Sequence, residues 1–326
     1  MKKLKRLFFL LPVFFGGLLS SGCDFGETAE KTWFPESEGI LSAAVSSSGR
    51  YVLLGNDAGQ ANLWDISQKK PTIHHAWKHQ ESSESGIIAV DISANEKYAL
   101  TADENSLAWW KVGTPGILGY WKLKGIKSIA LSRNGQYALV GFKDSAIYFS
   151  LRQSRTKFTF THPDYIKTLA LSGDGRFALT GSDNSEARLW SLKDGALLYT
   201  WKYKTKLFTV ALSPDGKYAV TNAVLGETRI WRTSDGKLIK RLPPRRVTIT
   251  AAAFDLSGKR LLVARANRRI DLWKVKSGKR IESWWLKKSD VWTPSSATVL
   301  DIRFVDKGRY FLSVTSDGIA QRWKSK

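Results

Sequence analysis

The sequence predicts an all-β fold made of seven copies of a small, four-stranded antiparallel sheet arranged in a ring. Three observations predict it. A turn followed by a large side chain recurs every 39 to 50 residues, and an aromatic residue follows each time at the end of a strand-like segment. The segments between turns are short and rich in aromatic and β-branched residues, as strands are. Finally, one extra strand-like segment precedes the first copy, and the last copy lacks one.

Two columns of residues define the copies. The first column follows a turn and contains Tyr51, Tyr98, Tyr137, Phe177, Tyr218, Arg260 and Tyr310. The second ends the third strand and contains Trp64, Trp110, Phe149, Trp190, Trp231, Trp273 and Trp323. A period of this length indicates one supersecondary unit per copy, and such a unit buries its faces only by stacking on its neighbours. We therefore interpret most of these aromatic residues as core residues.

The ends of the chain indicate how the ring closes. The seventh copy stops three residues after Trp323 and so has no fourth strand. The segment "KTWF" at 31–34 resembles the fourth-strand segments "YTWKY" and "ESWWL" of other copies. We expect a strand at about residues 31–35 to complete the last sheet, because closure removes the open edges at which sheets recruit other chains.

These copies resemble the WD40-repeat β-propellers, with a Gly-Lys-Tyr turn and a Trp at the end of the third strand. The resemblance covers residues 31–326 and implies a single seven-bladed β-propeller. The Trp-Asp pair survives at Trp64 and Asp65, and His162 is the candidate for the family's histidine. An Asp recurs in the turn before the third strand, where we expect its carboxylate to accept backbone N–H groups. These turn residues are Asp57, Asp103, Asp144, Asp183 and Asp317.

The first 22 residues are typical of a secretory signal. Four basic residues precede an apolar stretch at 7–19, and small residues at 20–22 supply a cleavage site. Cys23, which is the chain's single cysteine, follows them in a pattern that resembles the lipobox of bacterial lipoproteins. The resemblance implies a covalent lipid on Cys23, with residues 23–30 as a lipidated tether. An ordinary secreted Cys and an uncleaved anchor are the alternatives.

The same segment predicts a location. A lipidated Cys23 would anchor the protein in a bacterial cell membrane, facing the periplasm. Asp24 resembles the residue that retains lipoproteins in the inner membrane of enteric-type bacteria.

No catalytic or metal-binding pattern is present in the sequence. The four histidines, His74, His75, His79 and His162, match no ligand spacing. No phosphate-binding loop or nucleophile elbow occurs. We therefore expect no enzymatic activity, no metal and no cofactor other than the lipid; an enzyme with an unrecognised site in the central channel is the alternative.

Positive charge is concentrated in the sixth copy. The formal net charge of the chain is +22, and residues 240–288 hold 15 Lys or Arg against Asp255, Asp271 and Glu282. We predict a partner-binding basic patch on one face of the ring, formed by Arg245, Arg246, Arg268, Arg269, Lys287 and Lys288. A merely solvated basic surface is the alternative. Because a secreted protein meets no nucleic acid, the expected ligand is an acidic protein or anionic lipid headgroups.

The expected function is that of a monomeric, non-catalytic scaffold whose loops bind a partner protein in the bacterial envelope. This expectation follows from the family resemblance, since a rigid frame that presents many loops suits binding. An assembly factor for envelope or outer-membrane proteins is a further alternative, beside the channel enzyme.

Overall fold

The fold is seen in a computed structural model that describes residues 28–35, 39–79, 85–243, 246–286 and 297–325. Cys23 and the predicted signal segment lie outside the described residues. Three members of the predicted basic patch, Arg245, Lys287 and Lys288, also lie outside them.

The described residues form 28 strands in seven four-stranded antiparallel sheets, which are the blades of a ring. Blade 1 contains β2 (Ile40–Val45), β3 (Tyr51–Asn56), β4 (Gln60–Asp65) and β5 (Thr72–Lys78). Blade 2 contains β6 (Ala89–Ile92), β7 (Tyr98–Ala102), β8 (Ser106–Lys111) and β9 (Ile117–Lys122). Blade 3 contains β10 (Ser128–Leu131), β11 (Tyr137–Gly141), β12 (Ser145–Ser150) and β13 (Arg155–Thr161). Blade 4 contains β14 (Ile166–Leu171), β15 (Phe177–Ser182), β16 (Glu186–Ser191) and β17 (Leu197–Lys202). Blade 5 contains β18 (Leu207–Leu212), β19 (Tyr218–Ala223), β20 (Thr228–Arg232) and β21 (Leu238–Leu242).

The remaining blades contain the ends of the chain. Blade 6 contains β22 (Ile249–Phe254), β23 (Arg260–Arg265), β24 (Arg269–Lys274) and β25 (Arg280–Trp285). Blade 7 contains β26 (Val299–Val305), β27 (Tyr310–Thr315) and β28 (Ala320–Lys324), and its fourth strand is β1 (Lys31–Trp33). A 3₁₀ turn at Asp306–Gly308 joins β26 to β27. The predicted all-β seven-bladed propeller is therefore confirmed.

The N-terminal strand closes the ring as predicted. β1 pairs antiparallel with β28, with Lys31 opposite Arg322 and Trp33 opposite Ala320. The Trp33 side chain is buried, and its Nε1 donates a hydrogen bond to the main-chain oxygen of Gln68 in blade 1 at 3.2 Å. Trp33 thus joins the last blade to the first, and the strand covers three of the five residues expected.

The two aromatic columns form the core between blades. The outer-strand aromatic of one blade stacks on the third-strand Trp of the next, as Trp77 does on Trp110, with ring centroids 5.2 Å apart. Trp201 stacks on Trp231 in the same way, at 4.7 Å. Each apolar cluster spans two adjacent blades, so a blade shares its core with its neighbours. The repeat in the sequence therefore reflects a set of contacts that recurs between each pair of adjacent blades.

Hydrogen bonds reinforce some of these joints. In blade 2, Trp110 Nε1 donates to Thr101 Oγ1 at 2.8 Å, and His79 Nε2 lies 2.6 Å from the same hydroxyl. Blade 4 repeats the arrangement with Trp190, Thr180 and His162. Burial lowers the pKa of both histidines, that of His162 to about 4, so each imidazole is neutral at physiological pH.

The ring has two faces that differ in the connections they carry. One face bears the loops between blades together with the turns between second and third strands; we call it the mouth face. The other bears the turns between first and second strands and those between third and fourth strands; we call it the turn face. Residues 28–30 precede β1 at the turn face, because β1 runs from that face towards the mouth face.

Candidate functional site at the mouth of the central channel

The first strand of every blade lines the central channel, and these strands begin at the mouth face. A cavity of about 270 Å³ opens where they begin. Its wall combines the hydroxyls of Ser42, Ser128 and Thr168 with the side chains of Lys127 and Lys167. A small polar chamber therefore lies at the centre of the mouth face.

Exposed apolar side chains lie on the same face as this chamber. Leu41 and Phe208 belong to the channel-lining strands and are each 45% exposed. Tyr165 lies in the loop that enters blade 4, and Leu225, in a turn of blade 5, is 66% exposed. Large apolar side chains that are grouped on one face of a soluble domain mark interaction surfaces more often than scattered ones do. We call these four residues the apolar rim.

Lysines lie on the same face as the apolar rim. Lys127 pairs with Glu104 at 2.5 Å. Lys167 and Lys206 share one carboxylate, that of Asp183, at 3.3 and 3.1 Å. Lys143 Nζ lies 5.8 Å from the centroid of the Tyr165 ring. The mouth face therefore presents apolar side chains beside cations whose charges are only partly compensated.

Two carboxylates lie deeper in the channel. Asp91 Oδ2 accepts a hydrogen bond from Leu131 N of blade 3 at 2.7 Å. Asp301 Oδ2 accepts one from Val45 N of blade 1 at 2.8 Å. Each carboxylate thus joins its own blade to the following one, and Asp301 does so where the last blade meets the first. Arg303 interacts electrostatically with both.

Asp301 is a titratable group within the pH range of cells. Burial is the main cause that raises its pKa to about 6; the charge of Asp91 acts in the same direction, whereas Arg303 and the donated N–H groups oppose it. Burial also raises the pKa of Asp91. Both oxygens of Asp301 accept main-chain N–H groups, from Val45 and Ile302. The carboxylate therefore forms part of the contact between blade 7 and blade 1.

We expect this joint to make stability depend on pH. A carboxyl group whose pKa is higher in the folded state binds its proton more tightly there. Its contribution to the free energy of unfolding is full below the unfolded-state pKa, near 4, and declines as pH rises to about 6. The decline should be about 1–2 kcal/mol, because the side chain remains open to the channel and is partly screened.

Urea unfolding between pH 4 and pH 7 measures this effect when the native protein is compared with Asp301→Asn, which cannot titrate. The stability of the variant relative to the native protein should rise with pH across that interval. Asp144→Asn, at an exposed turn of blade 3, is the matched control and should show no such trend. A constant difference between native protein and Asp301→Asn would contradict the assignment.

The described members of the basic patch have different roles. Arg246 is exposed in the loop entering blade 6, and Arg268 lies in a turn on the same face, with its Nη1 buried. Arg269 begins β24 and is held internally, because its Nε contacts Asp271 Oδ1 at 3.0 Å and its Nη2 donates to Ser283 Oγ at 2.8 Å. The guanidinium of Arg269 therefore supports the blade.

The five turn aspartates do not share one set of contacts. Asp103 is buried and accepts hydrogen bonds from Asn105 N and Ser106 Oγ, both at 2.7 Å. Asp183 pairs with lysines instead. Asp317 accepts from the hydroxyl of Thr315, and the main-chain oxygen of Asp144 accepts from His162 N at 2.7 Å.

Other turn contacts complete this picture. The main-chain N–H of Asp57 donates to Gly39 O at 2.8 Å, and its side chain lies beside Gly39.

The charged residues of the channel were not predicted from the sequence, although their positions in the repeat distinguish two of them. Strand register places Asp91 and Arg303 in a column that holds Ala in the other five blades. Those alanines are Ala44, Ala130, Ala170, Ala211 and Ala253. A charged residue among small ones at one position of a repeat is therefore the departure that marks the channel.

A comparison with protein families matches residues 154–191 to the family model "WD domain, G-beta repeat". This protein is a seven-bladed β-propeller, and one segment of it is similar to a WD40 repeat. The matched WD40 segment begins just before β13 and ends with β16, and it contains the bonded set of His162, Thr180 and Trp190. A comparison with curated proteins found no match to the chain.

The part of this propeller that the structure describes contains neither a cluster of metal ligands nor a membrane-spanning helix. No group of three or more His, Cys, Asp or Glu side chains there could hold a metal ion. Likewise, none of its described segments is a helix with the length and apolarity that crossing a bilayer requires.

Proposed function

We propose that this chain is a scaffold protein of the bacterial envelope, held at the membrane by a lipid on Cys23, which binds a partner protein at its mouth face without catalysing a reaction. The WD40 propeller fold fits a protein-interaction scaffold. The observation that carries the choice of face is the apolar rim around the channel mouth.

The chemistry of the mouth face indicates what such a partner presents. Apolar side chains such as Phe208 supply the contact area, and Lys167 and Lys206 beside them favour a partner segment that carries carboxylates. Arg246 and Arg268 place two further cations on the same face, near blade 6. A partner segment with both apolar and acidic residues suits these features.

Crosslinking in cells tests the choice of face. The full chain should capture a partner, and Phe208→Ser combined with Leu225→Ser should reduce capture at least tenfold, because hot spots of this kind dominate binding. Leu256→Ser is the matched control, since Leu256 is 72% exposed on the turn face. Equal loss in the control, or undiminished capture by the double variant, would contradict a mouth-face site.

A separate experiment tests the anchor. Metabolic labelling with a palmitate analogue should mark the full chain and should fail to mark Cys23→Ser. Capture of the partner and labelling are independent readouts, so the anchor and the binding face can be judged separately. Labelling that persists in Cys23→Ser would show that the lipid assignment is wrong.

A further inference from the structure

The charge of the propeller is distributed unequally between its two faces. Among the described residues, the turns of the turn face contain fifteen Lys or Arg against seven Asp or Glu, whereas the loops and turns of the mouth face contain seven against eight. All fifteen cations on the turn face are exposed. They are Arg50, Lys69, Lys70, Lys97, Arg133, Arg152, Arg176, Lys193, Lys217, Lys237, Lys259, Lys276, Lys279, Lys307 and Arg309.

The seven acidic residues of the turn face offset fewer than half of these cations, and several of them also hold the turns. Asp174 Oδ1 accepts hydrogen bonds from Ser172 Oγ at 2.7 Å and from Arg176 N at 3.1 Å. Asp215 does the same with Ser213 and Lys217. Of the fifteen cations, those that form an ion pair with another described residue are Arg50, Arg176, Lys217 and Arg309. The turn face is therefore a broad cationic surface.

The chain enters the propeller at this same face. Glu30 N donates to Arg322 O at 2.8 Å just before β1 begins, and the neighbouring end of β28, at Lys324, also lies at the turn face. Cys23 lies seven residues before Glu30, and an extended chain of that length reaches at most ~25 Å. A lipid on Cys23 therefore keeps the turn face, rather than the mouth face, next to the bilayer.

We propose that the turn face rests on an anionic phospholipid bilayer, with its cations against the headgroups and the mouth face directed away from the membrane. This inference rests on the proposed anchor at Cys23. Two independent observations support it: the excess of exposed cations on this face and the entry of the chain at its edge. Leu256, which is 72% exposed among these cations, adds an apolar contact for the headgroup region.

The orientation follows from elementary electrostatics. A cation close to an anionic membrane strengthens binding by roughly fivefold, and the effect extends about one Debye length into solution. A face with many cations in one plane accumulates this attraction, whereas the balanced mouth face gains nothing. The propeller then holds its binding site outward, where a partner reaches it without competing with lipid.

Vesicle flotation tests the proposal with a chain that starts at residue 24. Every described strand and apolar cluster lies within residues 28–325, so this chain retains all of the ring that the structure describes and lacks the predicted anchor at Cys23. It should bind vesicles that contain one quarter phosphatidylglycerol at least tenfold more tightly than pure phosphatidylcholine vesicles. Binding should weaken as salt rises from 50 to 300 mM, as for any electrostatic association.

Matched variants locate the binding face. Lys97→Gln, Arg133→Gln, Lys259→Gln and Lys276→Gln together should weaken binding to anionic vesicles by about several hundredfold. The control carries the same number of neutralised cations on the mouth face: Lys124→Gln, Lys143→Gln, Lys204→Gln and Arg246→Gln. It should bind as the parent does. Circular dichroism melting of both variants separates loss of binding from loss of folding.

The outcomes are distinct. Equal binding to neutral and anionic vesicles, or equal loss in both variants, would overturn the proposal. Tight binding of the parent to duplex DNA with none to anionic vesicles would assign the cations to a different polyanion and would also overturn it. Because Cys23 is absent from the chain used here, none of these outcomes depends on lipidation, which palmitate labelling of the full chain decides.

Discussion

A chain that begins at residue 34 is expected to melt about 10 °C below one that begins at residue 28. The shorter chain lacks β1, and with it the buried Trp33 side chain that joins blade 7 to blade 1. Loss of a buried Trp costs about 3–5 kcal/mol, and for a domain of this size each kcal/mol lowers the melting temperature by about 2–4 °C. Thermal unfolding followed by circular dichroism measures the difference.

The same truncation should change the state of association. Without β1, the main-chain groups of β28 form an unpaired sheet edge, and such edges recruit strands from other chains. Light scattering should therefore show oligomers of the shorter chain and monomers of the longer one. If the two chains melt together and both remain monomeric, ring closure by β1 contributes nothing to stability, and our interpretation of this strand is wrong.

Asp271→Ala is expected to destabilise the protein by about 3–5 kcal/mol, because it leaves buried positive charge without a counter-charge. Asp271 is fully buried in blade 6 and pairs with Arg265 and Arg269. Ser283 Oγ donates a further hydrogen bond to it at 2.6 Å. Equilibrium unfolding in urea, with a constant m-value across the variants, gives the loss directly.

Two further variants identify the cause of this loss. Asp235→Ala removes an aspartate that pairs with the exposed Arg232, and it should leave the unfolding midpoint nearly unchanged. Arg265→Met combined with Asp271→Leu removes both buried charges and should recover most of the stability lost in Asp271→Ala. No recovery in the double variant would mean that packing volume, rather than unpaired charge, explains the effect.

The periodic features of the fold could be predicted from the sequence, because the interactions that create them also repeat. Trp77 on Trp110 and Trp201 on Trp231 place the same kinds of residue at the same spacing, so both the blades and their shared core are visible as columns. The closing strand was predictable for the same reason, since Trp33 lies in a segment that resembles other outer strands.

Features that occur once were not predictable in this way. Asp301 reaches Val45 across 256 residues of sequence, and only the closed ring brings them together. Arg269 was predicted as a member of the basic patch. Arg269 and Asp271 are two residues apart on one strand, so their side chains point to the same side and form an ion pair. That alternation would have indicated an internal ion pair.

The excess of cations on the turn face could be predicted from the sequence only in part. Each turn cation, such as Lys97 or Lys259, is visible in the sequence at the same turn position of its copy. Their collective effect depends on topology, because antiparallel order brings every turn between a first and a second strand to the same end of its blade. The repeated cations therefore form one continuous surface only when the blades are assembled into the ring.

The pairing of β1 with β28 also determines the order of events during biosynthesis. β1 is synthesised before the other described strands, and its partner β28 is synthesised after them. An unfinished chain has no counterpart for its earliest strand, so ring closure must wait until synthesis of the last blade is complete. The loop that this step closes spans nearly the whole polypeptide, and contacts so distant in sequence form slowly. Completion of the ring is thus a late step, which a chain can take only after β28 has been synthesised.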